Sequence, residues 1–342
     1  MSIIGWFRHR PDQFDPDRVS GEMIQWVVDK AIALTNPRLT LLPDYRKRLI
    51  PAVERLFSFL RAQIPMLPAV HDLSPKAWSS DPVLKAFFVE PSDITAVLGA
   101  ADNLRALFAE SPALDAACVV LGMAFKEEQG FGMALRGDVV QRDVAQISVS
   151  FSDHRARLCA TDELRLRRVV GIEVFEYLVG QALSQIGEER IEREELLGSR
   201  SLIRARLRLL QQHGPGLGSM FGADPAAPGE QARLDAELLE NERQLEAIGG
   251  GESLLASELE CLQAVLGNPQ RYLCFEAKRL RLNTMNVLLD EHSTDKAADI
   301  DFAVVDLKGN PPMRRAFVLA RVARAELPPP KKVNFDDAAR YL

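Results

Sequence analysis

From Thr161 to Gln212 the chain runs for about 50 residues without a proline, and its apolar side chains keep a helical period. Phe175, Leu178, Ala182, Leu196, Ile203 and Leu210 follow a three-four spacing, and Val179, Ile186 and Leu207 widen the stripe. At about 1.5 Å per residue this predicts one helix on the order of 75 Å long, capped at its start by Thr161 or Asp162. The run Gly187 to Glu195, GEERIEREE, is almost wholly charged and interrupts the stripe, which fits either a break or a solvated stretch of a continuous helix. Gly214 to Gly229, GPGLGSMFGADPAAPG, is half glycine and proline and reads as a flexible loop.

A second periodic run then returns. Leu234, Leu238, Asn241, Leu245 and Ile248 alternate steps of four and three, and the same phase resumes at Leu255, Leu259, Leu262 and Leu266. Three interior glycines, Gly249 to Gly251, would cost roughly 3 kcal/mol against alanine, yet the seven-residue step across them keeps both halves facing one partner. Gly267-Asn268-Pro269 terminates the run. Residues 161–267 are therefore expected to form an antiparallel, coiled-coil-like helical hairpin with a flexible tip loop over 214–230. Asn241 in its seam would favour one register. Pairing between two chains, giving a homodimer, is the alternative, although a loop of about 16 residues closes easily within one chain.

Before the hairpin, residues 1–130 read as helices punctuated by proline, a helical domain. Val19–Leu34, Asp44–Ile64, a short helix opened by Ser80-Asp81-Pro82, Ile94–Leu98 and Asp102–Ala109 lead to Pro112–Glu128. The last is apolar nearly all round and is expected to be a central buried helix. Ile64–Pro75, interrupted by prolines, reads as loop. The period then changes: QISVSFS, Gln146 to Ser152, alternates strictly, and Arg155–Ala160 alternates again after Ser152-Asp153-His154. A β-hairpin turning at those three residues is expected. Lys278–Asn283, Val287–Asp290, Ile300–Leu307 and Arg315–Leu327 read as further strands, the last two joined by KGNPP. Residues 131–160 and 271–327 would then form one small antiparallel sheet with a wet face, interrupted by the hairpin arm. Residues 328–342 read as a proline-rich linker and terminal segment. The expected fold class is α+β, predominantly helical.

Composition narrows function by exclusion. With 42 basic and 48 acidic residues the net charge is −6, which argues against a strongly basic nucleic-acid surface. The four cysteines, Cys118, Cys159, Cys261 and Cys274, form no CxxC pair and read as small buried hydrophobes in a reducing compartment. The opening MSIIGWFRHRP is too short for a signal segment, and no apolar stretch approaches a bilayer span, so a cytoplasmic location is expected. Trp6 and Phe7 beside Arg8 and Arg10 would suit peripheral membrane contact, but docking onto the protein's own core is the plainer reading.

No phosphate-binding glycine loop, dinucleotide fingerprint, zinc-protease helix, nucleophile elbow or calcium loop occurs, so no catalytic, cofactor or metal residue is assigned. Three groups of residues invite functional readings. His154 lies near Asp143 and Asp153 in sequence, as a carboxylate–imidazole site of a hydrolase would require, although a turn aspartate and an exposed histidine explain the same residues. Arg200, Arg204 and Arg208 recur every four residues and would give the hairpin a basic face for phosphate or acidic protein, unless glutamates neutralise it. Met220 and Phe221 are large apolar residues in the tip loop and would anchor a partner if exposed. The preferred reading is a protein–protein interaction or scaffolding protein that uses the hairpin. An enzyme near Asp143, Asp153 and His154, and a nucleic-acid-binding regulator using the arginine face, are the alternatives.

Overall fold

The computed structural model describes residues 14–16, 18–136, 139–212, 229–248, 252–289 and 296–329. In chain order the regular elements are α1 (Gly21–Thr35), α2 (Tyr45–Gln63), β1 (Val70–Asp72), α3 (Pro75–Trp78), α4 (Pro82–Phe87), α5 (Pro91–Gly99) and α6 (Asp102–Glu110). They continue with β2 (Ala116–Arg136), β3 (Val139–Ala160), α7 (Glu163–Gln212), α8 (Glu230–Ile248), α9 (Glu252–Gly267), β4 (Leu273–Asn283), β5 (Ala297–Leu307) and β6 (Met313–Ala323). The fold is α+β. Two compact units divide it: one falls within Met1–Met23, Leu56–Phe175 and Pro269–Leu342, the other within Ile24–Arg55 and Glu176–Asn268. No helix among the described residues is long and apolar enough to cross a membrane.

The first unit is built on a six-stranded sheet in the order β3-β2-β6-β5-β4, antiparallel except that β1 pairs with β6 in parallel. β6 joins the sheet together: Met313–Phe317 pair with β5, Leu319–Arg321 with β1, and Ala316–Ala323 with β2. The outer strands are also linked, because the segment after β4 bridges Val287 to Ser148 and Leu288 to Leu282. Leu288 N–H donates to the Ile147 carbonyl and Val149 N–H to that of Asn286, each at 2.8 Å, so the sheet curls toward closure. One face buries Val119, Leu121, Met123, Val318 and Phe302 with Phe87, Leu98 and Phe108 from the short helices. The other buries Cys118, Leu319 and Phe317 with Leu166 and Val170 of α7.

This double coverage overturns two expectations. The run Pro112–Glu128 is not a buried helix: β2 begins at Ala116, and the helical stretch read over residues 1–130 ends at Glu110. A strand packed on both faces is apolar without interruption, which a short apolar run cannot distinguish from a buried helix. Nor does the packed part of the sheet keep one wet face. β1, within the stretch read as loop, is too short to show a period.

The expected β-hairpin turn at Ser152-Asp153-His154 is also absent. β3 is one strand of 22 residues paired along β2. The register shifts between Val119/Val120, Gly122/Ala124 and Gly132/Ala134. Opposite those shifts lie Leu158, Asp153 and Asp143, with positive φ of 38°, 49° and 58°. Each is the extra residue of a β-bulge, and aspartate is among the residues that tolerate the left-handed region. The sequence Ser-Asp-His thus carries turn chemistry but bends a strand. At the C-terminal end β4 starts at Leu273, and β6 stops at Ala323 before a short 3-10 turn; of the stretch read as a strand over Val287–Asp290, Val287 and Leu288 form isolated bridges and Asp290 lies outside the described residues.

Local capping explains the helix starts. Asp81 accepts from Val83 N–H at 2.8 Å with Pro82 in the first turn of α4, and Glu90 with Asp93 forms a capping box for α5.

The second unit is helical. α7 continues without a break through Gly187–Glu195, so that charged run is a stretch of helix. Val27, Val28, Ala31, Leu49 and Val53 from α1 and α2 are buried in it, as are Leu178, Ala182 and Ile186 from α7 and Leu259, Leu262 and Leu266 from α9. The Gly249–Gly251 step lies outside the described residues.

Candidate functional site

The hairpin of α7 with α8 and α9 is the feature most open to function. Ile203 and Leu207 on α7 and Leu234 on α8 are buried together, with Leu210 and Leu238 packed against them. Further along the seam, Asn241 is buried and donates from Nδ2 to the Leu196 carbonyl at 3.0 Å, while its Oδ1 has no partner among the described residues. A side-chain bond to a helix carbonyl ties the two helices at one register, as a polar seam residue does. Arg204 pairs with Glu242 at 2.6 Å and Arg206 with Glu230 at 3.2 Å across the same helices. These exposed pairs add geometry more than stability.

A cleft of about 900 Å³ lies between the helices, lined among others by Arg193, Arg200, Arg243 and Glu246. Of the three arginines read as one basic face, Arg204 is therefore neutralised by Glu242, Arg200 faces the cleft, and Arg208 is exposed. Met220, Phe221, Trp6 and Phe7 lie outside the described residues.

Sequence reasoning missed Glu258 on α9, which is only 1% exposed. Its carboxylate accepts from Asn36 Nδ2 at 2.5 Å and from Arg190 Nη2 at 2.6 Å. Asn36 Oδ1 in turn accepts from Arg38 N–H at 3.0 Å and caps the 3-10 turn over Pro37–Leu41. The one signal available was that Glu258 sits seven residues before buried Val265, on the same helical stripe. Nearby, burial and then the charges of Glu189 and Glu258 push the Cys261 thiol up to about 11. Of the four cysteines expected to be buried, only Cys118 is fully so; Cys274 is exposed.

The residues proposed for a hydrolytic site do not converge. The Asp153 carboxylate is exposed and bound by Arg315 at 2.7 Å and Arg155 at 2.9 Å, which hold its pKa below the ordinary carboxylate value. His154 turns elsewhere: its ring stacks on Phe88 with centroids 4.5 Å apart, and burial lowers its pKa despite a hydrogen bond with the Phe87 backbone. Asp143 lies ten residues back along β3, about 30 Å of strand away. No grouping of histidine, cysteine and carboxylates suited to a metal ion occurs among the described residues.

Comparison with protein-family models, with curated proteins and with solved structures returned no match for this chain.

Proposed function

We propose that this is a protein–protein interaction or scaffolding protein whose working surface is the helical hairpin. One observation carries the reading. α7 buries one stripe in its own seam, yet Ile191, Leu202 and Leu209 on its other side are 59%, 74% and 55% exposed. Large apolar residues aligned on a solvated helix favour a partner, because covering them removes apolar surface from water.

Two features weigh against the alternatives. The dispersed positions of Asp143, Asp153 and His154 leave the hydrolytic reading without an acid–base pair. Glutamate pairing of Arg204 and Arg206 reduces the charge available to phosphate. The test is affinity purification from the native host with the wild type and with Ile191→Glu/Leu202→Glu, after checking that both keep the same helical circular dichroism. Loss of partners from the variant is the expected result. An unchanged partner set would overturn the reading.

A further inference from the structure

The exposed face of α7 has an internal order. At steps of three and four residues it presents Ser184, Gly187, Ile191, Glu195, Gly198, Leu202 and Ala205, and the series extends to Gly180 and Leu209. All are exposed except Gly187, which is half-buried. Large and small residues are arranged as a near-palindrome. Reversed about a point between Glu194 and Glu195, Gly180 meets Leu209, Ser184 meets Ala205, Gly187 meets Leu202 and Gly198 meets Ile191. Every large apolar side chain of the stripe thus falls opposite a glycine.

The surroundings of these glycines do not account for them. Among the described residues, a Cβ built on Gly180, Gly187 or Gly198 would meet nothing within 4 Å. Glycine inside a helix costs about 1 kcal/mol relative to alanine, and nothing in the packing of the described residues requires it at these three positions. A backbone that must be closely approached does require it.

We infer that α7 pairs with α7 of a second copy, antiparallel, about a two-fold axis between Glu194 and Glu195. The inference rests on the interaction reading above and names the partner. A two-fold interface must be complementary to itself, with residue i meeting j and j meeting i, and this stripe sets large against small three times, with Ser184 and Ala205 as a small pair. A parallel, in-register pair would set leucine against leucine and leave paired glycines facing a void. Step spacing of three and four matches the shallow crossing of helices packed along a seam. The contact would run about 45 Å from residue 180 to residue 209 and bury on the order of 1,000 Å², the lower bound for a specific interface. A micromolar dimer is the matching expectation. Glu195 stands near the axis beside its own copy, so like charges weaken the pair.

The test is sedimentation of the purified full chain up to roughly 100 µM, the range in which a micromolar dimer is populated. The wild type should reach twice the chain mass, and Glu195→Gln should dimerise at lower concentration. Gly187→Leu and Leu202→Gly should each weaken the dimer tenfold or more, and the double exchange should restore it, which a folding defect would not do. In a Cys274→Ser background, Ile191→Cys/Gly198→Cys should cross-link between chains while Ile191→Cys alone should not. A wild type that stays monomeric, a dimer indifferent to these changes, or cross-linking by Ile191→Cys alone would each overturn the inference. In any of those cases partner loss on Ile191→Glu/Leu202→Glu would still uphold the interaction reading with a different protein on the same face.

Discussion

Glu258 places a carboxylate in the interior of the helical unit, and its two partners decide what removing it does. Breaking a buried charged pair leaves the remaining polar groups uncompensated, but Arg190 is 44% exposed and can turn to water. Glu258→Ala should therefore destabilise by roughly 2–3 kcal/mol, and Glu258→Gln by less, read as urea midpoints at fixed m value. His154 makes a pH prediction. Burial lowers its folded pKa below the ordinary value, so as pH falls below about 6.5 the unfolded chain takes up the proton first. The native state accordingly loses stability with acid across the window from that value down to the folded pKa. The urea midpoint of the wild type should drop more between about pH 7 and pH 5 than that of His154→Phe, in which that linkage is gone. Equal drops would show that the ring is not held neutral. The thiols differ in the same currency of access. Cys274 is exposed, whereas Cys118 is buried and Cys261 is raised to about 11, so alkylation at pH 8 followed by mass spectrometry should label Cys274 first.

At the scale of elements the hairpin seam offers the most direct experiment. Asn241 satisfies its Nδ2 but not its Oδ1, so an apolar residue of similar size should relieve an unmet acceptor. Asn241→Leu should raise the thermal midpoint of the helical unit, by about 1–2 kcal/mol equivalent, while loosening the preference for one register. A lowered midpoint would mean that the bond to Leu196 matters more than the unmet oxygen. The same seam shows what could be read from residue order and what could not. Ile203, Leu207, Leu234, Leu259 and Leu262 were legible because burial on one face of a long helix imprints a period near 3.6 on the chain. β2 was not legible, because its two faces meet α-helices on both sides and both parities became apolar. Asp153 misled for a different reason: the residue that tolerates positive φ in a turn tolerates it equally in a bulge, and only the pairing strand distinguishes the two. The Asn36–Glu258 bond spans 222 positions, and the outward stripe of α7 is interleaved in sequence with charged residues, so its glycines and three large apolar residues leave no continuous apolar period.

For the whole molecule the order of assembly follows from the topology. Unit boundaries cross the chain repeatedly, so neither unit is one continuous segment. The helical unit has all its helices once α9 is made, whereas the sheet lacks its connector until β6, the strand that pairs with β1, β2 and β5. Chains ending before Met313 should therefore keep native-like helicity yet precipitate, since β2 and β5 would present unpaired edges. A soluble, sheet-containing product of that length, seen by circular dichroism, would contradict this. On the ribosome the consequence is one of timing. The strand around which the sheet is organised is the last of the described strands to be synthesised, so the edge of β2 that β6 will pair must wait unpaired through the translation of more than 150 residues after β3. Chaperone capture of ribosome-bound chains stalled before Met313 is the expected cellular consequence of this topology, and it would be invisible to any measurement made on the finished chain.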